Sequence, residues 1–191
     1  MIDFNKTLET NQILMRPMRL EDYDRFVEIS VDKDLWIYFT SDLSDKKVLQ
    51  SWIETGEQDI KNKKRLAFSI FDKQSNLLVG STSIGNISER DKRVEIGWTW
   101  LGREFQGKGI NDKVKYLLLK YCFEELDYER VEFKTDILNE PARKALKRIG
   151  AIEEGVLRSH TIMTHNRRRN TIYYSILSHE WKELKIKNNW P

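Results

Sequence analysis

The chain has 191 residues, 39% of them hydrophobic and 33% charged, with 33 basic against 30 acidic side chains for a net charge of +3. That length suffices for one substantial core and points to a single domain over residues 1–191. The composition excludes a low-complexity disordered chain, no apolar run approaches the length of a membrane-spanning helix, and the basic excess is too small for a dedicated nucleic-acid binder. Met1 to Glu9 has no signal-peptide core and Cys122 is the only cysteine, so the expected location is the cytoplasm.

In chain order, Ile13 to Met18 reads as a strand. After Leu20-Glu21-Asp22, the residues Tyr23, Phe26, Val27 and Ser30 mark one face of a helix whose first turn carries acids, as the helix dipole favours. A second helix is expected to start at Ser44 as N-cap, to turn Val48, Leu49, Trp52 and Ile53 inward, and to run past Gly56 to Ile60. The basic cluster that follows, Lys61, Lys63, Lys64 and Arg65, could touch an anionic partner, and complementing the end of that helix explains it as well. Three strands, 66–71, 77–84 and 94–101, are separated by turns at Asp72 to Asn76 and Glu89 to Lys92, which makes an antiparallel meander.

From Ile110 the spacing of Ile110, Val114, Leu117, Leu118, Tyr121 and Cys122 predicts a core-facing helix up to Leu126. Tyr128 to Thr135 returns as a strand, parallel to the one before the helix through a right-handed crossover. Pro141 and Gly150 bound one further helix, and residues 151–162 and 170–177 form a hairpin over Thr164 to Arg168. The run Arg167-Arg168-Arg169, with Arg158 at the far end of the hairpin, could receive an acidic peptide or RNA; a solvated turn explains it as well.

Between strand 94–101 and the helix lies Gln106-Gly107-Lys108-Gly109-Ile110-Asn111. Its glycines remove the Cβ atoms that would hold a ligand off the backbone, and the helix beyond leaves its first N–H groups without intrahelical partners. This is an anion site. It is not the dinucleotide fingerprint, because Asp112 stands where the third glycine belongs, and the G-x-x-x-x-G-K-[ST] loop is absent.

The hexapeptide resembles the pyrophosphate-binding motif Q/R-x-x-G-x-G/A of the GNAT acetyltransferase superfamily, with Asn111 in place of the last small residue. Other landmarks of the family stand in order: Val94-Glu95-Ile96-Gly97-Trp98 upstream, then Val131 to Thr135, then Asn139 to Gly150, which is similar to N-x-x-S-x-x-A-L-x-x-x-G. The likeness runs from about Ile13 to Trp181 and is strongest to the RimL/RimJ branch, which acetylates ribosomal-protein N-termini. It implies an α/β (α+β) fold, a mixed and mostly antiparallel sheet of about seven strands with helices on both faces. It also implies acetyl-CoA as cosubstrate and an amine acceptor, a protein or peptide N-terminal α-amine such as that of a ribosomal protein. A polyamine or aminoglycoside acceptor, a CoA-binding module without turnover, and a homodimer all stay open.

The resemblance assigns roles as well. Gln106, Gly107, Lys108, Gly109, Ile110 and Asn111 would hold the pyrophosphate. The strand edge Trp98 to Leu101, with Trp100 and Leu101, would pair with the pantetheine arm, to which Asn139 would give its side-chain amide; Asn139 also reads as an ordinary helix cap. Glu95, 11 residues before Gln106, is the candidate general base, and reads equally as a strand carboxylate paired with a cation. A backbone N–H near Trp100 would stabilise the oxyanion. The tyrosine that often serves as general acid falls at Leu146 here, a tolerable loss because a thiol with a pKa of about 8.5 leaves largely as thiolate. Trp36, in the loop Asp34 to Leu43, and His160, on the hairpin, are the candidates to line the acceptor pocket. Cys122 and one of Tyr173 and Tyr174 read as core, and three histidines with one cysteine suggest no transition-metal site.

Overall fold

The computed structural model, which describes residues 1–191 apart from the side chain of His165, begins with two short antiparallel strands, β1 (Leu8–Glu9) and β2 (Ile13–Pro17). A turn of 3-10 helix leads into α1 (Tyr23–Ser30), which buries Phe26, Ile29 and Ser30. The buried Asp22 ahead of α1 accepts from Arg16 Nη1 at 3.0 Å and from Ser69 Oγ at 2.7 Å, tying β2 and β3 (Leu66–Asp72) to the helix entrance. Between them, α2 (Lys46–Lys61) is capped by Asp45, whose carboxylate accepts from the N–H groups of Lys47 and Val48. Ser44, the cap expected from sequence, instead donates its hydroxyl to Asp42 at 2.6 Å, because the carboxylate one residue later reaches both orphan amides. Val48 is also turned outward, at 39% exposure, while Leu49 and Ile53 carry the buried face.

The meander is present as β3, β4 (Leu77–Ser88) and β5 (Arg93–Leu101), paired antiparallel in sequence order. The chain then crosses through α3 (Ile110–Lys120), extended by a π-helical turn over Tyr121–Glu125, and returns in β6 (Arg130–Asp136), parallel to β5. All six residues of the expected apolar stripe are buried. Next comes α4 (Glu140–Arg148), then the hairpin of β7 (Ile152–Ile162) and β8 (Arg168–Leu177), and last α5 (Trp181–Lys187).

The strand order is β1-β2-β3-β4-β5-β6-β8-β7, with β5 and β6 the parallel neighbours and every other pair antiparallel. The sheet therefore has eight strands rather than about seven; β1 is only two residues long, too short for alternation to register. The helix α5 was also not expected. It packs Trp181 beside Tyr116 and Phe123, and Gly150 leaves the space that Leu184 fills, since a Cβ there would lie 2.2 Å from Leu184 Cδ2. One contiguous core runs from Ile2 to Leu184.

Candidate active site

The parallel pairing of β5 with β6 stops almost as soon as it starts. Arg93, Val94 and Glu95 pair with Arg130, Val131 and Glu132, after which both strands run on, to Leu101 and Asp136, without pairing to each other. The divergence opens a cleft of about 1130 Å³ lined by residues 95–101 of β5, residues 133–135 of β6, and parts of α3 and α4. Beyond Glu95, the β6-facing edge of β5 has backbone donors and acceptors with no strand to take them, a template for an extended ligand.

The glycine turn lies at the mouth of this cleft. Gly107 and Gly109 hold φ of +72° and +76°, the left-handed region, and a Cβ added at either would meet nothing within 4 Å. The loop is thus an open cradle. Among the described residues, the backbone N–H groups from Gly107 to Asp112 have no protein acceptor; the first to find one is Lys113, which donates to the Gly109 carbonyl at 3.3 Å. Gln106 fixes the approach by donating Nε2 to the Leu101 carbonyl at 3.1 Å. Free amides, positive φ at both glycines and the start of an eleven-residue helix suit a phosphate group well. Gln106, Gly107, Gly109, Ile110 and Asn111 all line the cleft; Lys108 does not, and its ammonium sits 5.9 Å from the Phe105 ring centre.

β5 is bulged at the point where the cleft opens. Against β4, Gly97 pairs with Ser83 and Trp100 with Ser81, so β5 carries one residue more than its partner, and Trp98 and Thr99 have no place in the ladder. Trp98 takes φ of +52°, a conformation that costs a residue with a Cβ about 1–2 kcal/mol. Its indole is braced on both sides. Gly85 makes room, as a Cβ there would come within 2.9 Å of the ring, and the Arg65 guanidinium lies 5.0 Å from the ring centre while Nε holds Asp59 at 2.9 Å. Arg65 is consequently buried, bracing the bulge and paired with Asp59, where the sequence reading has it complement the end of α2. Gly80 admits the Trp100 carbonyl, which a Cβ would meet at 2.2 Å.

Glu95 is the last residue of β5 to pair with β6 and is 3% exposed. Its Oε2 accepts from Asn86 Nδ2 at 2.6 Å and from Lys134 Nζ at 2.8 Å, while Oε1 lies beside the Cα of Gly97 and takes no donor among the described residues. The carboxylate is thus both ion-paired and half free. Asn139 caps α4 by accepting from the Ala142 N–H at 3.2 Å, as its helix-cap reading expects, and also lines the cleft. Trp100 and Leu101 line the cleft too, with the Trp100 indole packed 4.8 Å from that of Trp36.

Both of the expected acceptor residues, Trp36 and His160, lie outside the lining of the cleft. Trp36 is buried, donating Nε1 to the Ser30 carbonyl at 2.9 Å, because the loop folds its indole into the Phe26, Trp52 and Trp100 cluster; its neighbours Tyr38, Phe39 and Thr40 line the cleft instead. His160 is exposed and bonded to the Thr171 hydroxyl at 3.0 Å, and it is the next residue, Thr161, that reaches the cleft. Leu146 does occupy the cleft wall as an aliphatic group, and neither Tyr173 nor Tyr174 reaches the lining.

Cations to which the sequence reading gave no role in the cleft also line it, among them Arg169 and Lys115. Arg169 is buried, donates to Thr171 Oγ1 at 2.9 Å, and has its acidity raised by burial; Arg167 pairs with the buried Asp136, and only Arg168 of the run is fully outward. Strand alternation within the run gave the available clue. Lys115 is 5% exposed, and burial pushes its pKa down to about 7. The hint there was a lysine directly after Val114 on an otherwise apolar helix face.

A sheet split beside a glycine turn, with a strand bulge and a carboxylate at the apex, is the architecture of a binding cleft suited to an anionic, extended ligand. The chain belongs to the GNAT acetyltransferase family: the family model described as Acetyltransferase (GNAT) domain matches residues 12–152. It is 36% identical over 108 residues to "Putative ribosomal N-acetyltransferase YdaF" of Bacillus subtilis, a match that spans 56% of this chain and 58% of that protein. It is 28% identical over 181 residues to the N-acetyltransferase p20 of Bacillus licheniformis, covering 92% of this chain and 98% of the relative. Among solved structures, a GCN5-related N-acetyltransferase from Brucella melitensis shares the fold with a TM-score of 0.88 at 23% identity, over 97% of this chain and 84% of the other. Among the described residues, no helix is long and apolar enough to cross a membrane.

Proposed function

We propose that this acetyltransferase moves the acetyl group of acetyl-CoA to the α-amine of a protein or peptide N-terminus, a ribosomal protein being the leading acceptor, in the cytoplasm. The observation that carries the donor assignment is the run of free amides from Gly107 to Asp112 at the mouth of the split sheet. In this reading residues 106–111 take the pyrophosphate, the free edge of β5 and the Asn139 amide take the arm, and the bulge offers backbone N–H groups to the carbonyl oxygen as it gains charge.

Glu95 supports an α-amine acceptor. A carboxylate already engaged by Lys134 and Asn86 has only Oε1 left to receive a proton, directly or through water. It suits an amine that needs little help: an α-amine with a pKa of about 7.7–8.0 is substantially neutral near pH 7.5, whereas a lysine near 10.4 is neutral to about one part in a thousand. The name of the Bacillus subtilis relative points the same way.

The test is thiol release from acetyl-CoA over a panel of N-terminal peptides, lysine peptides blocked at the N-terminus, polyamines and aminoglycosides. N-terminal peptides are expected to exceed every other class by at least tenfold in kcat/KM. Turnover confined to polyamines or aminoglycosides would overturn the acceptor, and CoA binding without turnover on any amine would leave a binding module.

A further inference from the structure

Lys115 enters the cleft from α3 with no acidic partner among the described residues. Its Nζ donates to Thr99 Oγ1 on β5 at 2.9 Å and lies 5.6 Å from the centre of the Phe133 ring on β6, so it stands between the two strands that part. Thr99 belongs to the bulge, and its hydroxyl is 2.8 Å from Thr82 Oγ1 and 3.3 Å from the Gly97 carbonyl. The wall where a phenol could donate is Leu146, and Tyr173 and Tyr174 lie outside the lining.

We propose that Lys115 is the general acid of the transfer, giving a proton from Nζ to the sulfur of the departing thiol. The inference rests on the acetyl-transfer reading above. In the balanced step the amine nitrogen bonds to the acetyl carbon and loses one proton toward Glu95. The carbon–sulfur bond then breaks with its electron pair on sulfur, and the Lys115 proton completes the thiol. Lys115, left neutral, regains a proton from water or along the Thr99 hydroxyl, so one proton leaves the amine and one arrives on sulfur.

An ordinary lysine would serve poorly, because it holds its proton too tightly to give it to a thiolate of pKa about 8.5. Burial brings Lys115 to about 7, where it is a stronger acid than the thiol it would make and still carries a proton at neutral pH for a useful share of the time. The charged groups around it leave that intact. Glu95 and Lys134, from β5 and β6, neutralise each other; on α3 itself Asp112 takes the Trp190 indole N–H at 3.0 Å and Lys113 flanks it. From β1 and β2, against which α3 also packs, Glu9 is paired with Lys73 and Arg16 with Asp22. Arg148, Arg169 and Lys187 add positive charge to the same cleft from α4, β8 and α5, which favours the neutral amine further.

The experiment uses Lys115→Met, which keeps the length without the proton, and Lys115→Arg, which keeps the charge but does not release it. With acetyl-CoA and a good amine, both are expected to lose at least tenfold in kcat, and the parent's high-pH limb near 7 should be absent from Lys115→Met. With S-acetyl-4-nitrothiophenol, whose thiolate leaves without a proton, both should come within about threefold of the parent. CoA affinity by calorimetry should stay within about threefold. In the unloaded protein, carbon-13 NMR of reductively methylated lysines should show one resonance, absent from Lys115→Met, that titrates near 7. Parental rates for Lys115→Arg with acetyl-CoA overturn the assignment, as does an equal loss on both donors, which marks a structural role. Acetyl-Lys115 in mass spectra after turnover overturns it in favour of a nucleophile. A parent that never turns over acetyl-CoA brings down the acetyl-transfer reading itself, and this inference with it.

Discussion

Lys134 Nζ lies 2.8 Å from Oε2 of Glu95, across the point where β5 and β6 begin to separate. The pair closes the apex of the cleft: Glu95 is the last rung on its strand, and Lys134 stands two residues past the last rung on the other. A charge buried to this degree is costly to leave alone, so each partner constrains what can be done to the other.

Removing Lys134 should therefore cost more than removing the charge of Glu95. Lys134→Met leaves the carboxylate with Asn86 alone and is expected to destabilise by about 1–3 kcal/mol, whereas Glu95→Gln leaves a lysine that is a quarter exposed and should cost less. The double variant should recover most of the Lys134→Met loss, a coupling readable by urea unfolding. In kinetics, Glu95→Gln should lower kcat/KM by about 10²-fold with acetyl-CoA affinity unchanged, the deficit shrinking as pH rises above the pKa of the acceptor amine. Parental rates from pH 6 to 9 would make Glu95 only half of an apex ion pair.

The glycine turn predicts a separation of binding from folding. Open space surrounds the position of a Cβ at Gly109, so Gly109→Glu should fold with little more than the left-handed backbone cost of about 1–2 kcal/mol. Its carboxylate would share the cradle with phosphate, and calorimetry should show CoA affinity down at least a hundredfold. Gly109→Ala, with the same backbone cost and no charge, is the control and should stay within about tenfold. Unchanged affinity in the glutamate variant would mean that the amides of residues 107–112 serve no anion.

Gly80 makes the opposite prediction, because its Cβ would meet backbone rather than space: the Trp100 carbonyl at 2.2 Å and the Leu101 Cα at 2.9 Å. Gly80→Ala should push β5 away from β4, cost about 1–3 kcal/mol and weaken CoA binding, since the displaced edge is the one offered to the arm. Urea unfolding and calorimetry together read it. Parental values in both would show that the bulge does not depend on this close approach.

Lys115 should also leave a mark on stability against pH. Its folded pKa of about 7 is below the ordinary 10.5, so between those values the unfolded chain binds a proton that the folded protein lacks. There the group makes stability rise with pH, by up to about 1.4 kcal/mol per unit, and below pH 7 its full desolvation cost is present. Cys122, whose thiol is raised by burial, works the other way at alkaline pH, so the useful quantity is a difference. Lys115→Met should be more stable than the parent near pH 6.5 and lose most of that lead by pH 9. A constant gap in urea unfolding would show that Lys115 keeps its proton as water-exposed lysines do.

The sequence reveals most of the scaffold and less of the site. Strands β3 to β6, α3 and the turn from Gln106 to Asn111 were legible because alternation, helical spacing and glycine each have a strong physical cause. The bulge was not: Trp98 holds a positive φ without the glycine that would signal it, and the accommodating glycines, 80 and 85, sit on the neighbouring strand. Trp36 misled because a loop address suggested a pocket while its indole was drawn to the Ser30 carbonyl. Lys115 was hidden by its surroundings, since an apolar face is read as core and the lone charge within it is passed over. The bonds that matter in this cleft are between residues far apart in sequence, and periodicity is blind to those.

Three rungs between β5 and β6 have a mechanical consequence too. They are the strand pairing that joins β1 to β5, on one side, to β6, β8 and β7 on the other, so the two half-sheets are bound like the covers of a book along a very short spine. Backbone amides along that spine should exchange with solvent at a free energy closer to hinge opening than to global unfolding. A strand-like occupant between the covers would stiffen the whole volume, and the protection it confers at residues 93–95 and 130–132 would report loading without any chemistry taking place.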